Sequence, residues 1–191
     1  NQSLADICRN VLSGLDPILE TERPDIVLVQ GDTTTAFIAC LAAFYRRIPV
    51  GHIEAGLRSY DRDHPYPEEI NRRLISVACE MHLAPTMNNA MNLFKEGIDA
   101  NRVYITGNTV IDALLHIVRN DRKTLNNYLN FEELTGYRMI LVTAHRRENW
   151  GKPLEELCCG LRDLVQKYHD VQVVYPVDLN PIVRIFVFRV L

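Results

Sequence analysis

The chain has 191 residues, 47% of them hydrophobic and 24% charged, which is enough apolar content to bury a core and too much for a disordered chain. Its net charge of -3 gives no footprint for nucleic acid, although local arginine clusters can still grip phosphates. No apolar run is long enough to span a bilayer and the opening Asn1-Gln2-Ser3 is no signal peptide, so a cytoplasmic protein without membrane partners is expected.

Taken in order, Leu4, Ile7, Val11, Leu12, Leu15, Ile18 and Leu19 keep helical spacing until Arg23-Pro24 stops the helix. A strand over 26–29 follows, then a helix over about 34–45 and a second buried strand from Ile48 through Ile53. Further helices are predicted at about 68–79, 87–96 and 110–119, with strands near 81–84 and 103–105 between them. The polar stretches 119–124 and 126–136 mark a domain boundary, and a fresh strand over 139–142, a helix over 154–168 and a strand over 171–175 open a second unit. The tail from Ile182 is either a helix that needs more protein around it or a divergent end. The alternation predicts an α/β fold with right-handed crossovers, divided at 1–120 and 121–191. A unit that begins with a helix and stops soon after a strand would leave a sheet face uncovered, so the chain is expected to be cut at both ends.

Ionisable groups collect where strands end, which is where open parallel sheets bind ligands. Glu54 follows the second strand between Gly51 and Gly56, two residues that allow close backbone approach. Pro67 then sits at a plausible first helical position, with Glu68 and Glu69 in the first turn, where acids either cap the helix or do chemistry. Asp32, in Gly31-Asp32-Thr33-Thr34-Thr35, either caps the next helix or holds a polar ligand. Gly107-Asn108-Thr109 reads as a turn and cap whose amides could also line a cleft. In Thr143-Ala144-His145-Arg146-Arg147-Glu148-Asn149, a histidine beside two arginines suits proton transfer or diphosphate contact; the alternative is a solvated loop in which Glu148 pairs with an arginine.

His64, His82, His116 and His169 have no ligand spacing, so no metal is argued and no cofactor is called for. Cys8, Cys40, Cys79, Cys158 and Cys159 lack Cys-x-x-Cys spacing and are expected to be reduced core residues.

Six runs in order, Gln30-Gly31-Asp32-Thr33-Thr34, Gly51 to Arg58, Pro67 to Arg72, Ala84-Pro85-Thr86, Thr106 to Leu114 and Ala144 to Asn149, resemble those of the non-hydrolysing UDP-N-acetylglucosamine 2-epimerases. The resemblance covers the chain from Arg23 to Pro181. It implies a GT-B-like fold, with two Rossmann-like domains, parallel sheets and the nucleotide sugar in the cleft between them. It also implies interconversion of UDP-N-acetylglucosamine and UDP-N-acetylmannosamine by elimination of UDP to a 2-acetamidoglucal and re-addition, in a cytoplasmic homodimer serving cell-envelope polysaccharide synthesis.

Carried over, Asp32, Glu54, Glu68 and His145 become the catalytic set, and Arg58, Arg72, Asn108, Arg146 and Arg147 the substrate-binding set. Relatives have a Gly-Thr-Arg-Pro-Glu type loop before the position of Asn1 and a Ser-Gly-Gly loop after that of Leu191. They also carry histidine where Asp178 stands, in a segment tied to an allosteric site. The chain alone is therefore expected to be inactive. The alternatives are a GT-B-like glycosyltransferase using a UDP-sugar donor and a non-catalytic remnant.

Overall fold

A computed structural model of the chain describes residues 2–120, 135–144, 146 and 149–191. They fall into two units, Asn1–Leu114 and Leu115–Leu191.

The first unit opens on α1 (Leu4–Glu22), whose start is a reciprocal cap. Ser3 Oγ accepts from the Asp6 amide at 3.1 Å, and the Asp6 carboxylate accepts from the Ser3 amide at 3.0 Å. Arg23 ends the helix in the left-handed region at φ 44°, just before Pro24, as its sequence signals predict.

Four strands then alternate with helices: β1 (Val27–Gln30), α2 (Thr34–Tyr45), β2 (Val50–Ile53), α3 (Glu68–Ala78), β3 (Met81–Ala84), α4 (Met87–Lys95) and β4 (Val103–Ile105), with α5 (Thr109–Asn120) last, its residues after Leu114 falling in the second unit. The strands are all parallel in the order β1-β2-β3-β4. Because each lies beside its predecessor, right-handed crossovers carry α2, α3 and α4 over the same face. α1 packs on α2, and α2 on α3. The observed β1 and β2 differ from the predicted spans because the ladder begins after Pro49 and runs on to pair Gln30 with Ile53.

The covered face of the sheet carries Val27, Val29 and Val50, which pack with Leu19, Cys40, Ala43, Ile75 and Cys79 in one core. Burying a side chain such as Ile75 completely contributes roughly 2 kcal/mol. Cys40 and Cys79 are free thiols with sulfurs 3.8 Å apart, and Cys158 is buried too; Cys8 and Cys159 are only half-buried, so the reading of all five as core residues holds for three. The opposite face leaves Leu28 55% and Tyr104 51% exposed, the open apolar face expected from the element order.

In the second unit, β5 (Arg138–Leu141) and β6 (Val171–Val174) are parallel neighbours. α6 (Lys152–Lys167) packs on β6, and α7 (Pro181–Val190) packs on α6. The tail is thus a helix, anchored by Val183 and Val187 against Leu154 and Cys158. Asn180 caps it by accepting from the Ile182 amide at 3.0 Å. The expected boundary stretch lies largely outside the described residues. Among the described residues no helix is long and apolar enough to cross a membrane.

Candidate functional site

At the carboxyl ends of β1, β2 and β4, three loops of the first unit meet. Glu54 leaves β2 with φ 68°, a left-handed conformation that a non-glycine residue adopts at a cost on the order of 1 kcal/mol. Its Oε1 accepts a hydrogen bond from Asn108 Nδ2 at 3.0 Å. Its Oε2 lies over Gly31, where an added Cβ would sit 3.5 Å away. Asn108 serves twice, because its Oδ1 also accepts from the Val110 amide at 3.0 Å and so starts α5. Gln30 Nε2 donates to Thr109 Oγ1 at 3.2 Å, which ties the end of β1 to the same turn.

Asp32 stands beside this pair. It does not cap α2: Thr33 does, accepting from the Ala36 amide at 3.2 Å. The Asp32 carboxylate is therefore left for other partners, and its Oδ2 is 3.8 Å from Arg72 Nη1. Its main-chain oxygen accepts from Asn71 Nδ2 at 2.9 Å. Glu68 is the first residue of α3, so Asn71 and Arg72 lie three and four positions on, along the same face of the helix. Among the described residues the half-buried Glu68 carboxylate has no hydrogen-bond partner.

Glu69, weighed with Glu68 as a capping acid, has a different place. It is fully buried at 0% exposure and accepts from the backbone amides of Ser59 at 2.9 Å and Tyr60 at 3.1 Å. The Arg72 Nε atom lies 3.1 Å from its Oε2, an ion pair without the alignment of a hydrogen bond. Pro67, expected as the first helical residue, is instead the residue before it.

Arg58 is not brought to the mouth of the site. Its side chain is buried, with Nε and Nη2 donating to the two Glu96 oxygens at 2.8 and 2.7 Å, Nη1 to the Leu57 oxygen at 2.7 Å and Nη2 also to Ser76 Oγ at 2.9 Å. That guanidinium holds the Glu96 carboxyl below its usual range. Further along, the Gly56 oxygen accepts from Asn92 Nδ2 at 3.0 Å, and Tyr60 Oη donates to Asn92 Oδ1 at 2.8 Å. Gly56 has φ 82°, and a Cβ there would run into the Asn89 carbonyl oxygen. From Gly56 to Tyr60 the loop after Glu54 is thus fastened to α3, to α4 or to Glu96 at the end of α4.

Two buried histidines lie under the site. His52 and His82 are level neighbours on β2 and β3. His52 Nε2 is 2.8 Å from the Gly31 oxygen; a carbonyl only accepts, so Nε2 carries the proton. Burial drives the pKa of each imidazole down to about 4. Neither His82 nitrogen has a partner among the described residues. Asn71 and His52 are site residues that sequence reasoning missed, and Glu69, weighed there beside Glu68, is left out of the carried-over sets. Only their placement inside quoted motifs pointed to them.

Arg146 is an exposed residue of the second unit, its oxygen accepting from the Asn149 amide at 3.0 Å. His145 and Arg147 lie outside the described residues.

The arrangement in the first unit supplies carboxylates at two strand ends and a helix start, with an amide and a guanidinium against two of them. Such a set can move protons at a carbon between opposed acids and bases.

The whole chain, residues 1–191, matches the family described as UDP-N-acetylglucosamine 2-epimerase. It is 48% identical over 197 residues to the UDP-N-acetylglucosamine 2-epimerase of Escherichia coli, covering all of this chain and 52% of that protein. To the Bacillus subtilis protein of the same name it is 48% identical over 183 residues, covering 96% of this chain and 47% of that one. The crystal structure of UDP-GlcNAc 2-epimerase from Neisseria meningitidis bound to UDP-GlcNAc is similar with a TM-score of 0.92 and 46% identity, covering all of this chain and 53% of that chain. These neighbours are GT-B-like, and the α/β class with parallel sheets is as expected. The chain spans about half the length of the curated relatives it matches.

Proposed function

Because the chain belongs to the UDP-N-acetylglucosamine 2-epimerase family, we propose that it forms part of an isomerase that interconverts UDP-N-acetylglucosamine and UDP-N-acetylmannosamine. The observation that carries this reading is the pairing of Glu54 with Asn108, beside Asp32 and the α3 residue Arg72, at the carboxyl ends of the parallel strands β1, β2 and β4.

The C2 proton of the sugar has no adjacent carbonyl, so its direct removal is too slow. One carboxylate takes that proton while the C1–O bond to UDP breaks. The C–H electron pair becomes the C1=C2 double bond of a 2-acetamidoglucal, and the C1–O pair leaves on UDP. Re-addition delivers a proton to the other face of C2 and returns the UDP oxygen to C1. The reaction needs acid and base groups on both faces and cations on the departing diphosphate.

Asp32, Glu54 and Glu68 are proposed as the carboxylate set and His145 as the group near the diphosphate or leaving oxygen. Arg72, Asn108, Arg146 and Arg147 are proposed as substrate contacts. Arg58, whose guanidinium is already bound to Glu96, Ser76 and Leu57, is proposed to shape the loop instead. Residues 1–120 would belong to one Rossmann-like domain and 121–191 to the linker and start of a second. A cytoplasmic homodimer serving cell-envelope polysaccharide synthesis completes the reading.

The test is incubation of the full-length protein with UDP-N-acetylglucosamine in deuterium oxide, followed by proton NMR. Deuterium entering C2 together with the formation of UDP-N-acetylmannosamine is expected. Absence of exchange would overturn the assignment.

A further inference from the structure

We propose that Glu69 is a positioning residue of this site, acting through Arg72 on Asp32 and through the 59–60 backbone on Glu54. The inference rests on the epimerase reading above and deepens it.

A carboxylate at 0% exposure is costly to bury and persists only with strong partners. Glu69 has three, from two directions: the Ser59 and Tyr60 amides at 2.9 and 3.1 Å, and Arg72 Nε at 3.1 Å. Tyr60 then takes φ 60°, so the chain turns into the left-handed region directly after the two amides. Such amide-to-carboxylate bonds are charge-assisted and about twice as strong as neutral ones.

The guanidinium of Arg72 is thereby shared. Its Nε edge faces Glu69, and Nη1 reaches Asp32 Oδ2 at 3.8 Å, beyond direct hydrogen bonding. Glu69 keeps Arg72 from closing onto Asp32 and leaves the Asp32 carboxylate able to meet a substrate. The same carboxylate fixes the segment that begins at Glu54, five residues before Ser59, whose other fastenings are Arg58 to Glu96 and Gly56 to Asn92. A glutamine in its place keeps one acceptor but turns an amide NH2 toward a donor, and it removes the charge that holds Arg72.

The experiment is Glu69→Gln in the full-length protein, with an Arg72→Gln cycle. Rates are read per folded enzyme as UDP-N-acetylglucosamine turnover, and the Ser59 and Tyr60 amide resonances are followed by NMR. A displaced supporting partner typically costs 10- to 100-fold. We expect kcat to fall ~30-fold with KM within about threefold, the combined variant to lose less than the product of the two single losses, and both amide resonances to move upfield. A kcat within twofold of the parent, or losses that multiply, would overturn the proposal, because a part that only supports folding lowers the amount of folded protein and leaves kcat alone. Should Glu69→Gln not fold, hydrogen exchange of the unsubstituted protein decides. Ser59 and Tyr60 amides protected as well as the Ile75 amide support the clamp, and exchange at open-loop rates overturns it. If the unsubstituted enzyme shows no C2 exchange, the epimerase reading fails, and the amide measurements still judge the clamp.

Discussion

The two ends of the four-stranded sheet are held together by different physics. At the amino ends of β2 and β3 a groove of about 480 Å³ is lined by Phe44, Tyr45, Arg47, Ile48, Pro49, Ala78 and Glu80. Its two aromatic rings sit 6.3 Å apart with much of their surface in solvent, Phe44 54% and Tyr45 66% exposed. At the carboxyl ends the loop from Glu54 to Tyr60 is fastened by carboxylates, side-chain amides and a buried guanidinium, and three residues, Glu54, Gly56 and Tyr60, take left-handed conformations. The amino end offers a groove, yet the acids that can move protons stand at the other end. Polar fastening tolerates small geometric error poorly, whereas an exposed apolar rim tolerates it well. Substitutions should therefore separate the two ends sharply.

The largest effect should come from Glu54→Gln. It preserves shape and a partner for Asn108 while removing the ability to accept a proton. In the full-length protein, C2 deuterium exchange should slow by about 10³-fold, or about 4 kcal/mol of barrier, with stability to denaturant nearly unchanged. Gly56→Ala should come next. The added methyl meets the Asn89 carbonyl oxygen and the Leu93 side chain at φ 82°, and backbone cannot swing away as a flexible side chain can. A loss of at least about 3 kcal/mol of unfolding free energy is expected by urea titration. A loss under about 1 kcal/mol would mean that the loop is not fastened as described.

The acid sensitivity of the sheet interior is smaller. His52 and His82 have pKa values near 4 when folded against 6.5 in the unfolded chain, so unfolding takes up protons as pH falls. Their contribution is complete above pH 6.5 and is lost as pH falls toward 4, by about 2 kcal/mol per imidazole. Asp32 and Arg58 face His52, while His52, Arg102 and Arg58 face His82, and the nearby cations add to the penalty for a charged imidazole. Urea midpoints measured between pH 7.5 and 4.5 should fall, and a His82→Asn variant should flatten part of the slope. Equal slopes in the two proteins would remove His82 from the account.

Much of the fold was legible because it is local. The alternation of apolar runs with Gly and Pro punctuation located β3 at 81–84 and β4 at 103–105 as observed, and the quoted motifs placed Asp32 and Glu54 at strand ends. What stayed hidden depends on partners far along the chain. Arg58 turns inward because Glu96, thirty-eight positions away, takes the Nε and Nη2 edge of its guanidinium with both carboxylate oxygens. Glu68 and Glu69 are adjacent acids in the same first turn, and nothing local says that one is buried against the amides of 59 and 60 while the other is left without a hydrogen-bond partner among the described residues. Asp32 was open between cap and ligand because Thr33 offers the same acceptor one residue later, and only the observed bond to Ala36 decides between them.

The smallest effect belongs to the amino-end groove. Tyr45→Ser removes a ring that is 66% exposed, at the last turn of α2, with no hydrogen bond from its hydroxyl among the described residues. The ring loses little contact on unfolding, and serine in a final helical turn is only slightly worse than tyrosine. The urea midpoint should shift by no more than about 0.5 kcal/mol of stability, with C2 exchange in the full-length protein within twofold of the parent. A loss above about 1.5 kcal/mol that shrinks as the protein is diluted would change the picture of this end, since burial by a second copy would then supply what the monomer's packing does not. The amino-end groove would in that case be as demanding as the carboxyl end, through association and not through chemistry.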